Sequence, residues 1–301
     1  MAFSTLYYTI LNKPFFIDLR RIDAQAVMID KFLEHDVKDM SADKLSDRKV
    51  MAVSTSSGTV DSYDKAPEGS VAVIDLRGDM IKEGTWCSYG TEEIAAAMRA
   101  AASSDKVIGI RLDIDSGGGA VDAIAPMLDA ISFAQSQGKP VVACCDLCAS
   151  AAYYVACHCD EIVADNDISA EFGSIGVMMQ FPDYAKYYEQ KGIKVHTIYS
   201  DLSTHKNAPF EAALKGEYKS IKEEMLNPLA RKFQQAVKSH RPNLDTKVDG
   251  ILNGRMFFAK DALKYGLIDK IGNHEVATSE VQRLAAEMSL KQYADGISGT
   301  D

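Results

Sequence analysis

The chain has no surplus of positive charge. Its 33 lysines and arginines are outnumbered by 43 aspartates and glutamates, for a net charge of −10 and a pI near 5.1. That balance argues against a general nucleic-acid surface and against attraction to anionic membranes. A secretory leader is also lacking: Met1 to Thr9 has no basic start followed by an apolar stretch, and Lys13, Asp18, Arg20 and Arg21 interrupt the next dozen residues. Nor is there a run of the roughly 20 apolar residues that would span a bilayer. The longest weakly polar run, Val141 to Cys157, contains Asp146 and many small residues, and reads as a buried strand followed by a buried helix. Apolar residues make up 47% and charged residues 25%, an ordinary globular mixture. A soluble protein of the cytoplasm is expected.

Cysteines are few, and their spacing raises one alternative. Cys145-x-x-Cys148 followed by Cys157-His158-Cys159 invites a zinc or redox reading. The simpler reading makes Cys87, Cys144, Cys145, Cys148, Cys157 and Cys159 small core residues. Neighbouring cysteines on a strand point to opposite faces and cannot all meet one ion. No metal and no cofactor are expected.

Residues 1–68 read as an N-terminal appendage. Apolar positions at Ile22, Ala26, Ile29, Phe32 and Leu33 have helical spacing, and the polar stretch from Asp36 to Lys65 reads as a linker. Residues 69–290 form the main domain, and 291–301 a frayed tail. From Ser70, strands alternate with helices: a strand over Val71 to Leu76, a helix from Thr91 to Ala102 capped by Thr91, and a strand over Val107 to Ile114. A helix from Ala120 to Gln137 and a strand over Val141 to Cys145 come next, then a helix from Ser150 to Ala156. Further strands are expected at Glu161 to Ala164, Gly176 to Gln180 and Val195 to Tyr199, with helices at Pro182 to Lys191, Phe210 to Ser239, Ala259 to Tyr265 and up to Met288. The alternation implies an α/β fold with a mostly parallel sheet covered by helices.

Two strand ends offer chemistry. At Asp115-Ser116-Gly117-Gly118-Gly119 a strand empties into glycines, where backbone N–H groups can face a ligand unobstructed. This is an ordinary turn, a phosphate cradle or half of an oxyanion hole; the Walker lysine and the dinucleotide spacing are both missing. In Cys148-Ala149-Ser150-Ala151-Ala152-Tyr153-Tyr154, a serine stands between strand and helix among small residues. It is either a helix N-cap or a nucleophile at a helix start whose N–H groups favour a developing oxyanion.

Taken together with Phe172-Gly173-Ser174-Ile175-Gly176-Val177, Asn253-Gly-Arg-Met-Phe and Ala262-Leu-Lys-Tyr-Gly-Leu-Ile-Asp-Lys-Ile-Gly272, these motifs resemble, in order, the signal peptide peptidase A and phage capsid protease C family. Those are Ser–Lys dyad peptidases of the Clp-protease/crotonase superfamily. The resemblance covers about residues 70 to 273. It implies Ser150 as nucleophile, Gly118 and Ala151 as oxyanion-hole donors, Lys206 as general base and Ser174 as the hydroxyl that positions the lysine. Lys194 and Lys215 are the nearest alternative bases. The usual Ser-Pro-Gly-Gly reads Ser116-Gly117-Gly118-Gly119 here, without the stiffening proline.

The resemblance also implies a serine endopeptidase acting through an acyl-enzyme on peptide or protein chains, within a homo-oligomer. Related Clp proteases place a histidine about two dozen residues beyond the serine; Gly173 to Gly176 stands there instead, which favours the dyad over a triad. Ser-Ala-Ala-Tyr and the opening Asn12-Lys-Pro-Phe-Phe-Ile are similar to the branch that processes phage or prophage head proteins. A soluble housekeeping peptidase for signal-peptide remnants is the alternative. Rivals from other classes are a crotonase-like acyl-CoA enzyme and a non-catalytic assembly subunit.

Overall fold

The computed structural model describes residues 15–17, 51–55, 58–60, 66–84, 89–181 and 183–298. Strands β1 (Phe15–Ile17), β2 (Met51–Thr55), β3 (Gly58–Val60) and β4 (Ser70–Arg77) come first. Helix α1 (Thr91–Ser103) precedes β5 (Val107–Ser116), the short β6 (Gly118–Ala120) and α2 (Ile124–Ser136). Next come β7 (Val141–Ala149), α3 (Ala151–Ala156), β8 (Glu161–Ala164) and β9 (Glu171–Gly173). The chain continues through α4 (Ala185–Gln190), α5 (Ala208–Leu214), α6 (Asn227–His240), β10 (Met256–Phe258), α7 (Ala259–Lys264), β11 (Lys270–Ile271) and α8 (His274–Ser298).

One nine-stranded sheet runs β10-β9-β7-β5-β4-β2-β3, with β8 beside β7 and β11 beside β8. The pairs β4–β5, β5–β7, β7–β8, β7–β9 and β8–β11 are parallel, whereas β2, β3 and β10 join antiparallel. This is the α/β fold with a mostly parallel sheet that the alternation of elements implies. The period of two along each strand sorts side chains to two faces. Ala72, Ile74, Leu76, Ala143 and Cys145 pack with Met98 of α1 and Met127 of α2. Val71, Val142, Cys144 and Val163 instead meet Ala277 and Val281 of α8. Cys144 and Cys145 therefore lie in different layers and cannot share one ion. A buried ion pair pins α8 down: Arg111 forks onto Asp113 at 2.7 and 2.8 Å and donates to Thr278 Oγ1 at 2.8 Å.

Several boundaries differ from the sequence reading. Part of the supposed linker, Met51–Thr55 and Gly58–Val60, is a hairpin on the sheet edge, with Met51 opposite Ile74. The helical spacing from Ile22 to Leu33 lies outside the described residues. Gly90, not Thr91, caps α1, and Glu93 reaches back to its N–H at 2.8 Å. The strand expected at Gly176 to Gln180 falls instead at Glu171–Gly173, where β7 and β10 offer edges. Val195 to Tyr199 finds no partner strand and stays largely exposed. The long helix from Phe210 breaks at Gly216, whose φ of 84° suits a glycine, and resumes at Lys219 through a π turn over Lys222–Leu226. Its two parts differ in burial: Ile221 is buried, whereas Leu214 is 52% exposed. Helix α8 runs through the expected tail to Ser298.

The contact between β5 and α8 is close enough to test. A Cβ on Gly109 would stand 2.5 Å from Val281 Cγ1 and 2.9 Å from the Pro140 carbonyl oxygen. Gly109→Ala should therefore destabilise the protein by about 1–3 kcal/mol through overpacking. Chemical denaturation checks this, and an unchanged midpoint would show that α8 does not sit this tightly on β5.

Candidate active site

Strands β5 and β7 run parallel and finish together, with Ser116 in register with Cys148. Crevices at the carboxyl ends of parallel strands are where α/β sheets bind ligands. The partner of β7 changes along its length: its first half pairs with β8, but Leu147 to Ala149 pair with Glu171 to Gly173 of β9. The next residue on each strand is a serine, Ser150 and Ser174.

Ser150 turns the chain from β7 into α3. Its backbone adopts φ 56° and ψ −118°, and the residue is 1% exposed. Among the described residues the other non-glycine positions with positive φ are Ser174 (53°) and Asn207 (61°), the latter next to Lys206. Such conformations cost on the order of 1–3 kcal/mol each and persist where the surroundings fix them. Here the Ser150 N–H donates to the Gly173 carbonyl at 2.9 Å, and the Ser150 carbonyl accepts from the Tyr154 N–H at 2.9 Å. The side chain makes no capping bond, so the N-cap reading of Ser150 does not account for it. Helix α3 is held from behind by the fully buried Tyr153, whose hydroxyl donates to the Leu267 carbonyl at 2.7 Å.

Ser174 is placed by backbone contacts that the sequence reading did not anticipate. Its N–H donates to the Arg255 carbonyl at 3.1 Å, and a Cβ on the preceding Gly173 would come within 2.4 Å of that same carbonyl oxygen. This explains the Asn253-Gly-Arg-Met-Phe motif: it turns β10 against β9 and aims the Arg255 carbonyl. The only available signal was the turn pair Asn253-Gly254 before an apolar run.

Opposite Ser150 lies the glycine turn, and β6 packs against α3. Gly118 has φ 100°; its carbonyl accepts from the Met80 N–H at 2.9 Å, and its own N–H donates to Ser116 Oγ at 3.2 Å. That last bond is long, so the amide would exchange partners to serve an oxyanion. Ala151 is buried at the first position of α3, where no helical carbonyl faces its N–H.

The lysines stand apart from this crevice. Lys206 is exposed on a turn, its N–H donating to the Ser203 carbonyl at 3.1 Å. Among the described residues its side chain forms no hydrogen bond or ion pair. Lys194 and Lys215 are also exposed. Backbone contacts thus gather the segments that carry Ser150, Ala151, Ser174 and Gly118, whereas among the described residues no hydrogen bond or ion pair joins Lys206 to them.

Other nucleophiles and bases nearby are disfavoured. Burial pushes the Cys157 thiol up to about 12, and it raises Cys144, Cys145 and Cys159 as well, leaving them protonated and inert. His158 is depressed by burial; its ring contacts the Tyr154 carbonyl at 2.8 Å and meets His240 in a tilted pair, centroids 3.9 Å apart, beyond the far end of α3.

Strain at Ser150 predicts an inverse effect of glycine. Ser150→Gly removes the Cβ that disfavours φ 56°, whereas Ser150→Ala keeps it. We expect the glycine variant to be the more stable by about 1 kcal/mol, roughly 2–4 °C in melting temperature for a domain of this class. Should the glycine variant melt below the alanine variant, the serine backbone is not held in this conformation.

The pattern of peptidase family S49 matches residues 133–288, more than half of the chain. Protease 4 of Haemophilus influenzae is 26% identical over 216 residues, covering 71% of this chain and 34% of that protein. The head-tail preconnector protein GP5 of Enterobacteria phage P21 is 30% identical over 191 residues, 63% of this chain and 37% of that protein. The chain thus spans little more than a third of the length of either relative. Among solved structures, a membrane-bound stomatin-specific protease superposes with a TM-score of 0.43 at 16% identity, over 71% of this chain and 78% of that one. No helix among the described residues is long and apolar enough to cross a membrane. The chain belongs to peptidase family S49.

Proposed function

We propose that this chain is a serine endopeptidase with Ser150 as nucleophile and Lys206 as general base. The observation that carries the reading is the backbone of Ser150, a buried non-glycine residue at φ 56° and ψ −118° between β7 and α3, inside the family match. In the reaction, Ser150 Oγ attacks the scissile carbonyl while its proton passes to the neutral Lys206 amine. The amides of Gly118 and Ala151 stabilise the oxyanion, and Ser174 orients the lysine. Collapse breaks the C–N bond, the lysine returns its proton to the leaving amine, and an ester to Ser150 remains. Water, activated by the lysine, then hydrolyses that ester to release the carboxylate and restore the serine.

An exposed lysine is a poor base, because its neutral form needs desolvation or a neighbouring positive charge to favour it. Lys206 lies in a region that exposes Ile193, Val195, Ile198, Leu202, Leu214 and Tyr218, with Ile198 at 91% and Leu202 at 95%. So much apolar surface on one segment is the signature of an interface. We assign it to further copies of this chain in a closed homo-oligomer, whose assembly covers the segment and seats Lys206 beside a Ser150. The substrates are peptide or protein chains. The phage relative supports head-protein processing in the cytoplasm of an infected or lysogenic cell as the biological setting.

Ser150→Ala should fold and assemble but lose roughly 10⁴–10⁶-fold in activity. Lys206→Ala and Lys206→Arg should both be inactive, since a guanidinium does not give up its proton. Substantial turnover by Lys206→Arg would move the base to Lys194 or Lys215. Light scattering showing an active monomer would overturn the assembly. Co-expression with phage capsid and scaffold proteins, followed by mass spectrometry of the products, checks the setting. Uncleaved head proteins beside efficient digestion of free signal peptides would favour the housekeeping role instead.

A further inference from the structure

Strand β6 has two edges, and both are occupied. On one side Met80 donates its N–H to the Gly118 carbonyl at 2.9 Å and accepts from the Ala120 N–H at 2.8 Å. Alternation along a strand then leaves the N–H and C=O of Gly119 facing the opposite edge. There, the chain's own β1 lies antiparallel, with Phe15 opposite Ala120, Phe16 opposite Gly119 and Ile17 opposite Gly118. Phe16 and Gly119 are therefore the pair that exchanges backbone hydrogen bonds. Strand β1 also contacts α3, the helix that starts immediately after Ser150.

This places a segment of extended chain against the glycine turn and the helix that follows the serine, where backbone pairing would hold any extended peptide. Among the described residues β1 belongs to a two-stranded sheet with β6 alone, outside the nine-stranded sheet, and is three residues long. So short a strand contributes little to the fold, but tethering keeps its local concentration high. Pro14 precedes it and offers no N–H to lengthen the pairing.

We propose that residues 15–17 are an internal occupant of the substrate edge, so that the chain holds its own site closed until β1 is displaced or removed. The inference rests on the peptidase reading for its consequence, though the occupancy itself does not need catalysis. A substrate that competes with a tethered segment sees its apparent affinity reduced by the fraction of time the edge is free.

Three forms test it: the full chain, a chain lacking residues 1–20, and full-length Phe16→Pro, which removes the N–H facing Gly119. Circular dichroism and light scattering establish that each is folded and assembled. Cleavage of fluorescein-labelled casein should show kcat/KM raised roughly tenfold or more in both altered forms, chiefly through KM, as expected when the edge is free about a tenth of the time. Separately, each chain carrying Ser150→Ala is titrated into a labelled synthetic peptide of residues 11–21 and followed by anisotropy. The truncated chain should bind at least roughly tenfold more tightly than the full chain, with Phe16→Pro close to the truncated form. Equal binding by full and truncated chains, or no binding by either, overturns the inference. If the truncated chain does not fold, the comparison of Phe16→Pro with wild type decides alone. Absence of casein cleavage and of fluorophosphonate labelling in every form would instead overturn the peptidase reading, and the anisotropy result would still decide the occupancy.

Discussion

The site depends on one backbone constraint: Ser150 must leave β7 with a positive φ, and the protein surrounds it with groups that leave no alternative. The Gly173 carbonyl holds its N–H, the first turn of α3 takes its carbonyl, and Tyr153 ties that turn to Leu267. Each of these partners depends on another. Position 173 requires glycine because its φ is 127° and a side chain there would strike the Arg255 carbonyl, and Arg255 is placed by the pairing of β10 with β9. The motifs spread from Gly117 to Gly272 are thus parts of one scaffold, which explains why they appear in order though far apart. Strain at a single serine is tolerated because many ordinary contacts over-determine it.

The change of partner along β7 gives this scaffold its shape. With β8 beside its first half and β9 beside its second, the strand can end next to a second serine while its beginning stays buried in a parallel sheet. A simple doubly wound sheet would carry one neighbour along the whole strand. The switch lets a three-residue strand set the distance between Ser150 and Ser174, and the antiparallel β10 closes the edge behind it.

Much of this was legible because it is local. Alternating strands and helices from Ser70 onward, small residues around Ser150 and glycines after Ser116 all carry their own signal, and the sheet follows from them. Less legible were features made by partners distant in sequence. Glu171–Gly173 is a strand only because β7 and β10 flank it, and three residues show no periodicity. Met51–Thr55 is five residues long inside a polar stretch that reads as linker, and it is a strand because β4 supplies its hydrogen bonds. Conversely, Val195 to Tyr199 has strand-like residues and no edge to join. The Arg255 carbonyl has no residue-type signature at all. Lys206 is proposed from the motif order, and nothing in its local pattern marks it out from the other exposed lysines of the same segment.

The cysteines around the serine bear on the same problem from the other side. Cys145 and Cys148 lie on β7 just before Ser150, and Cys157 and Cys159 follow α3. Burial holds the thiols of Cys145, Cys157 and Cys159 protonated, because these surroundings disfavour a charge that water would otherwise solvate. Cys157 and Cys159 lie at the far end of α3 from Ser150, so these shifts describe the packed core that seats the helix and not the crevice in front of the serine. A thiol held neutral in that core is no nucleophile, which leaves the strained serine at the strand end as the group the scaffold presents.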